Sequence, residues 1–347
     1  MCNHEDRDTP KTGGRVSLTT AELGTTGMAL TRVGFGAWAI GGGGWAAAWG
    51  PQDDDESVAA IHHAIASGIN WIDTAAVYGL GHSEEVVGRA LAAIPADQRP
   101  YVFTKCGLVW DDADRTAKPR RVGDPAIVRR DVESSLRRLG VERIDLYQVH
   151  WPAEDGTSLE EYWQVMVDLR TEGKVRAIGL SNHDVDQLQV AEKIGHVDSL
   201  QPPFSAIKRG AARELAWCHE NGTGAIVYSP MQSGLLTGAF TAERVAALPA
   251  DDWRRGGPEF TTHLERNLAL SAALEPIAQR HGVSRGAVAV AWTLAWPGVT
   301  GAIVGARRPE QIDGWIAAND VTLTAEDLTE IAEAITRTGA GEGPTRP

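Results

Sequence analysis

The sequence predicts a single (β/α)8 TIM barrel of the α/β class. Three observations carry this. Eight short, apolar, β-branched runs recur along the 347 residues, segments of helical periodicity separate them, and no linker breaks the alternation.

The first run is RVGFGAW (32–38). A glycine-rich loop follows, and then a helix over 56–68, capped by the acidic stretch Asp53 to Asp55 and closed at Gly68. INWIDTA (69–75) leads through AAVYGLGHSEE into a helix over 83–94 opened by Ser83. YVFTKCG (101–107) precedes a helix between Asp124 and Gly140, and IDLYQVHW (144–151) precedes one between Ser158 and Gly173. VRAIGLSN (175–182), SLQPPF (199–204), AIVYSP (225–230) and GAIVGAR (301–307) complete the eight. Their near-continuous apolar character suits strands covered on both faces of a parallel sheet. A doubly wound open sheet competes, and strand count alone does not separate the two.

The spacing breaks between strands seven and eight. Residues 231–300 hold a glycine-rich turn, the charged stretch LPADDWRRGGPEF and helical patterns over 265–281 and 284–295. We read this as an insertion that decorates the barrel, as does a final helix over 324–336. The barrel is expected over 21–338. The ends, 1–20 and 339–347, are polar and rich in Gly and Pro, and disordered tails are expected there.

A net charge of −13 argues against nucleic acid as a partner, because phosphate binding needs clustered Lys and Arg. No apolar run approaches a membrane span, and the first fifteen residues lack the apolar core of a signal peptide. Cys2, Cys106 and Cys218 form no CxxC pair, which suits a reducing compartment, so a cytoplasmic location is expected. No metal is expected; Cys2, His4, Glu5 and Asp6 read as a solvated tail. Cys106 reads as a buried structural thiol.

The reactive side chains fall at strand ends. Asp73 closes the second run, Lys105 lies near the end of the third and His150 near the end of the fourth, while Tyr78 follows the second run in its loop. In a parallel barrel all strand C-termini share one face, where active sites assemble. Taken singly, each has a bland reading: a helix cap, a loop aromatic, a solvated strand end, a core histidine. Together they supply a proton donor, a cation that favours tyrosinate, a counter-ion and a donor to a developing oxyanion. That set suits carbonyl reduction by hydride, and the hydride must come from a cofactor.

GINWIDTAAVYGLGHSEEVVGRAL resembles the signature of the aldo-keto reductases. VFTKCG, LGVERIDLYQVHWP, GKVRAIGLSN, LQPPFSAIKR, YSPMQSGLLTG and IVGARRPEQ are similar to that family in order and spacing, over about residues 22–336. The resemblance implies that Tyr78 is the general acid, that Lys105 lowers its pKa, that Asp73 pairs with Lys105 and that His150 orients the carbonyl. It implies NADPH bound extended across the barrel mouth, with NADH the lesser choice. Ser181, Asn182 and Gln201 match positions that hold the carboxamide, and Tyr228 matches the aromatic stacked on the nicotinamide. Ser229, Met231 and Ser233 fall in the pyrophosphate segment. Arg307, Arg308 and Gln311 lie on the 2′-phosphate and adenine side, with Gly36 and Gly305 beside the track. The sequence departs from the family at Ala239, where lysine is usual, at Gly314-Trp315, where Glu-Asn is common, and at Phe204, where Tyr is frequent.

GFGAWA (34–39) also fits G-x-G-x-x-A, but no helical start follows its glycines, so a Rossmann fingerprint is not expected. Trp38, Trp49 and Trp151 are candidate walls of a pocket for a small-molecule carbonyl substrate, with core packing as the plain alternative; Trp45 shares that reading. Two rival functions remain open. One is an NADPH-binding regulatory or assembly subunit resembling potassium-channel β subunits, with weak or no turnover. The other is a barrel isomerase or lyase using Lys105 as a Schiff-base nucleophile. The sequence leaves the substrate's identity and the oligomeric state open.

Overall fold

The computed structural model describes residues 18–249 and 252–347. All eight expected runs form parallel strands: β1 (Val33–Gly36), β2 (Trp71–Asp73), β3 (Tyr101–Cys106), β4 (Ile144–Val149), β5 (Val175–Ser181), β6 (Ser199–Gln201), β7 (Gly224–Tyr228) and β8 (Val299–Gly305). They stand in sequence order around a closed barrel, and β8 returns to pair with β1, Ile303 opposite Gly34. That closure excludes the open sheet.

The crossover helices are α1 (Asp54–Ala66), α2 (His82–Ala92), α3 (Pro125–Leu139), α4 (Leu159–Thr171), α5 (Val185–Glu192) and α6 (Ala212–Asn221). Asp53 accepts from the Glu56 N–H, Asp124 from those of Ala126 and Ile127, and Ser158 forms a reciprocal capping box with Glu161. Each satisfies N–H groups that a helix start leaves unpaired. Ser83 does not cap α2. Gly81 holds that position, and the Ser83 hydroxyl instead donates to the Ala37 carbonyl and bonds Thr74, tying α2 to the barrel mouth.

Alternation along each strand sorts the side chains. Ile72, Val102, Tyr147, Ile178, Leu200 and Val227 pack outward against the helices. Trp71, Phe103, Leu146, Ala177, Ile226 and Ile303 fill the lower barrel interior. Both faces are thus buried, which is why the runs read as continuously apolar. A hairpin not anticipated from the sequence, Thr20–Glu22 with Ala29–Thr31, closes the lower end with Leu23, Met28 and Leu30. Gly34 has a packing reason: a Cβ there would stand 2.1 Å from the Trp71 ring. The first glycine of GFGAWA therefore makes room for a tryptophan; a single 3-10 turn (Trp38–Ile40) and a long loop follow, with no α-helix until Asp54.

Three expectations are corrected. The pattern over 265–281 is two helices, Leu264–Ala273 and Glu275–His281, because Pro276 cannot donate into a continuous helix. The segment 339–347, expected to be a disordered tail, is docked: Arg209 donates to the Ala340 and Gly343 carbonyls, and the backbones of Lys208 and Glu342 form a parallel β-bridge. Backbone contacts hold it, and composition does not report those. Of the expected N-terminal tail, residues 1–17 lie outside the described residues, while the Thr19 N–H is bound to Asp320 and Thr20 begins the hairpin. No helix among the described residues is long and apolar enough to cross a membrane.

Candidate active site

The inward-facing residues one step above the hydrophobic layer are polar, and they meet at the strand C-termini. β2 ends at Asp73, β3 contributes Lys105, β4 contributes Gln148 and leads into His150, and β6 ends at Gln201. Lys105 and Gln148 are direct cross-strand partners, as are Gln201 and Ser181.

Lys105 Nζ donates to Asp73 Oδ1 at 2.6 Å and to the Thr74 carbonyl at 2.8 Å, with the whole side chain buried. The other carboxylate oxygen accepts from Gln201 Nε2 at 2.8 Å and from Gln148 Nε2 at 3.5 Å. Burial lowers the Lys105 pKa and the adjacent Asp73 opposes that shift. Beyond this pair, Lys105 Nζ lies 5.2 Å from the Tyr78 ring centroid.

Tyr78 stands in a tight turn that positive backbone angles make possible, with φ of 63° at Gly79 and 58° at Leu80. Gly79 is obligatory here, because a Cβ would fall 2.1 Å from the Gly41 carbonyl oxygen. The Tyr78 ring is edge-on to His150, centroids 5.7 Å apart, and Trp38 stacks beside it at 6.2 Å. Burial, then Asp73, pushes the Tyr78 hydroxyl well above its ordinary value. Lys105 stands close to the phenol ring, while Asp73 and the Thr74 carbonyl hold its ammonium in place. His150 is held well below the usual imidazole range by burial and by Lys105, so it is neutral. No described residue hydrogen-bonds the Tyr78 hydroxyl or either His150 ring nitrogen.

Both line a cleft of about 880 Å³ that runs across the barrel mouth. It is lined by Trp38, Trp45 and Trp151 and by Tyr228, Ser229, Met231, Ser233, Arg307, Gln311 and Trp315. Asp73, Gly36, Asn182, Gln201, Trp49 and Gly305 also line it. Lys105 and Ser181 lie beneath its surface and Arg308 stands outside, exposed.

The polar residues on its wall are mutually bonded. Ser181 Oγ donates to the Gln201 carbonyl, Asn182 Nδ2 donates to the His150 carbonyl at 3.0 Å, and the Tyr228 hydroxyl donates to Asn182 Oδ1 at 2.8 Å. Asn182 takes φ 62°, a region short polar residues tolerate. Behind it, His183 is buried between the Tyr162 hydroxyl at 2.9 Å and the Ser181 carbonyl at 2.8 Å.

Arg307 is engaged with the loop before α1 through three of its N–H groups, donating to Gln52 Oε1 at 2.6 Å and to the carbonyls of Trp49 and Pro51. Gln311 Oε1 accepts from the backbone N–H groups of Arg307 and Arg308. Sequence reasoning missed Arg254. Asp252 grips it through Nε and Nη2, it stacks on Trp49 and Phe240, and it lines the cleft. It also missed Gln148 and Trp253, which stacks on Trp38. The alternation that places Lys105 inward also places Gln148 inward. No local signal marks a residue delivered by the insertion. Cys106 is buried, and burial pushes its thiol up, as expected of a structural cysteine.

Comparison with known proteins places this geometry. The model of the aldo/keto reductase family matches residues 32–336. The chain is 36% identical over 332 residues to the NADH-specific methylglyoxal reductase of Escherichia coli (strain K12), covering 91% of this chain and 98% of that protein. It is 34% identical to the aldo-keto reductase YhdN of Bacillus subtilis (strain 168), covering 89% and 91%. Among solved structures, the glycerol dehydrogenase AKR11B4 from Gluconobacter oxydans superposes with a TM-score of 0.84 at 38% identity, covering 94% of this chain and 97% of that one.

Proposed function

The chain belongs to the aldo/keto reductase family, and we propose that it reversibly reduces an aldehyde or ketone to the alcohol with NADPH, Tyr78 acting as proton donor. The observation that carries this reading is the pairing of Tyr78 and His150 on one cleft wall, unpartnered, above the buried Lys105–Asp73 pair.

The cleft residues fit a dinucleotide. Among the described residues Trp49 Nε1 and Trp315 Nε1 are buried donors without a protein partner, and both residues line the cleft. Arg244, Arg254 and Arg307 line it too, Arg254 paired with Asp252. The turn over Ser229–Gly234 has positive φ at Ser229, Gln232, Ser233 and Gly234, the kind of concave backbone that receives phosphate. A bound nicotinamide dinucleotide supplies the hydride.

The chain's own residues do the rest. Neutral His150 donates one N–H to the substrate carbonyl and fixes its direction toward Tyr78. Because the Tyr78 hydroxyl is held protonated, it can deliver its proton to the carbonyl oxygen as charge develops there. The nearby Lys105 ammonium stabilises the tyrosinate left behind, and Asp73 keeps that ammonium charged in a buried site. Asn182 ties His150 to Tyr228, so the hydrogen-bonding histidine and the aromatic wall move as one unit.

Preference for NADPH rests on Arg307 and Arg308, whose forked donors suit a phosphate dianion. The Escherichia coli relative is named as NADH-specific, so family membership alone does not select the cofactor. The test is oxidation of NADPH and of NADH with 4-nitrobenzaldehyde, followed by nicotinamide absorbance, in wild type and Tyr78→Phe. Turnover in the wild type and its loss in the variant, with cofactor binding retained, support the reading. Retained catalysis in Tyr78→Phe removes Tyr78 as the acid.

A further inference from the structure

The cleft is electropositive in an acidic protein. The chain carries a net charge of −13, yet five basic side chains line the cleft, and among the described residues its one carboxylate, Asp73, is paired with Lys105. Arg254 and Arg307 gather around Trp49, whereas Arg121, with Lys118 three residues before it, stacks on Trp151 beside His150.

Lys118 and Arg121 belong to a small hairpin that the sequence did not reveal, Leu108–Val109 paired with Arg120–Arg121, and to the loop it closes. The hairpin is fastened to the active-site mouth. Val122 N–H donates to the Gly107 carbonyl at 3.0 Å, and Glu154 N–H to the Arg121 carbonyl at 3.0 Å. Arg115 reaches the carbonyl of Gly79, next to Tyr78, at 3.5 Å.

The charges of this loop are sorted. Asp111 accepts from the Ala113 N–H, Asp112 from Trp110 Nε1 and Asp114 from Thr116, and none of the three lines the cleft. Lys118 forms no ion pair among the described residues. The Arg121 guanidinium lies 4.4 Å from the Trp151 ring centroid and pairs through Nη1 with the exposed Glu154. Stacking on an indole fixes the plane of the fork, and the donors not used by Glu154 remain for a second carboxylate. Trp38, Trp45, Trp151 and Leu108 line the same cleft as these cations and Tyr78, apolar walls suited to a hydrocarbon or aromatic spacer.

We propose that the preferred substrate is an oxo-carboxylate, in which an apolar spacer separates the reacting carbonyl from a carboxylate held by Lys118 and Arg121. This rests on the carbonyl-reductase reading of the same cleft. It adds a charge requirement to that reading, which by itself admits any aldehyde or ketone.

The experiment compares 4-carboxybenzaldehyde with methyl 4-formylbenzoate, which share a ring and an aldehyde and differ in charge. The acid is expected to show a KM about tenfold below that of the ester, the worth of one charged hydrogen bond. The acid-to-ester ratio of kcat/KM should fall about tenfold in Lys118→Met/Arg121→Met, and should fall in wild type as salt is raised. In parallel, terephthalate binding is followed by quenching of tryptophan fluorescence in wild type and in the double variant. Equal KM values for acid and ester, or a ratio unchanged in the double variant, overturn the proposal while leaving the reductase reading intact. If neither aldehyde turns over, the reductase reading fails, and the terephthalate titration still decides the anion site: binding lost in the double variant supports it, and binding unchanged overturns it.

Discussion

Lys105 Nζ lies 2.6 Å from Asp73 Oδ1 with both side chains buried, and the remaining Asp73 oxygen is bound by Gln201 and Gln148. Three strands thus converge on one carboxylate. Removing either member of a buried pair leaves an uncompensated charge, so Asp73→Asn should destabilise the fold by about 3–5 kcal/mol. Asp73→Asn/Lys105→Met should recover most of that loss without recovering turnover. Urea unfolding of the single and double variants checks this; a double variant as unstable as the single one would contradict the pair's electrostatic origin.

Tyr78→Phe should lower carbonyl turnover by about a hundredfold or more, the usual worth of a positioned general acid. Cofactor titration by fluorescence should be nearly unchanged, since the hydroxyl has no protein partner to lose.

Arg307→Ala and Arg308→Ala should weaken NADPH by about tenfold and NADH much less, as expected when a charged hydrogen bond to the 2′-phosphate is lost. Arg254 reaches the Ser233 carbonyl in the turn proposed to receive the pyrophosphate, so Arg254→Ala should weaken both cofactors alike. Equal losses for the two cofactors in Arg307→Ala would remove its assigned role.

His183 is held neutral by burial, its pKa pulled down to about 4. The unfolded chain takes up that proton near pH 6.5. Its contribution is therefore complete above pH 6.5 and is lost as pH falls toward 4, by roughly 3 kcal/mol. His150 acts in the same direction. Stability measured from pH 7 to pH 4 should fall less steeply in His183→Gln than in wild type; identical slopes would show that His183 does not titrate in this way.

Gly79→Ala should cost both stability and turnover, because the new Cβ would overlap the Gly41 carbonyl and displace Tyr78. A conservative Leu80→Gly, which relieves a positive φ, should be better tolerated. Melting temperature and kcat measured together separate the two; equal behaviour would mean that the turn is not what positions Tyr78.

The sequence by itself determined the order of the strands and where Asp73, Lys105 and His150 gather. Eight apolar runs report burial on both faces, and parallel strands put their C-terminal residues at the same end. These are local properties, repeated along the chain; closure, which pairs β8 with β1, is not. The tertiary structure decided what depends on distant approach. It engaged Arg307 with the Trp49–Gln52 loop, delivered Arg254 and Trp253 from the insertion, and brought the Lys118–Arg121 hairpin over Trp151. It docked residues 339–347 through backbone carbonyls that have no sequence signature. Sequence places a cation beside the phenol, and only packing shows that Asp73 and the Thr74 carbonyl hold that cation and that the phenol is buried.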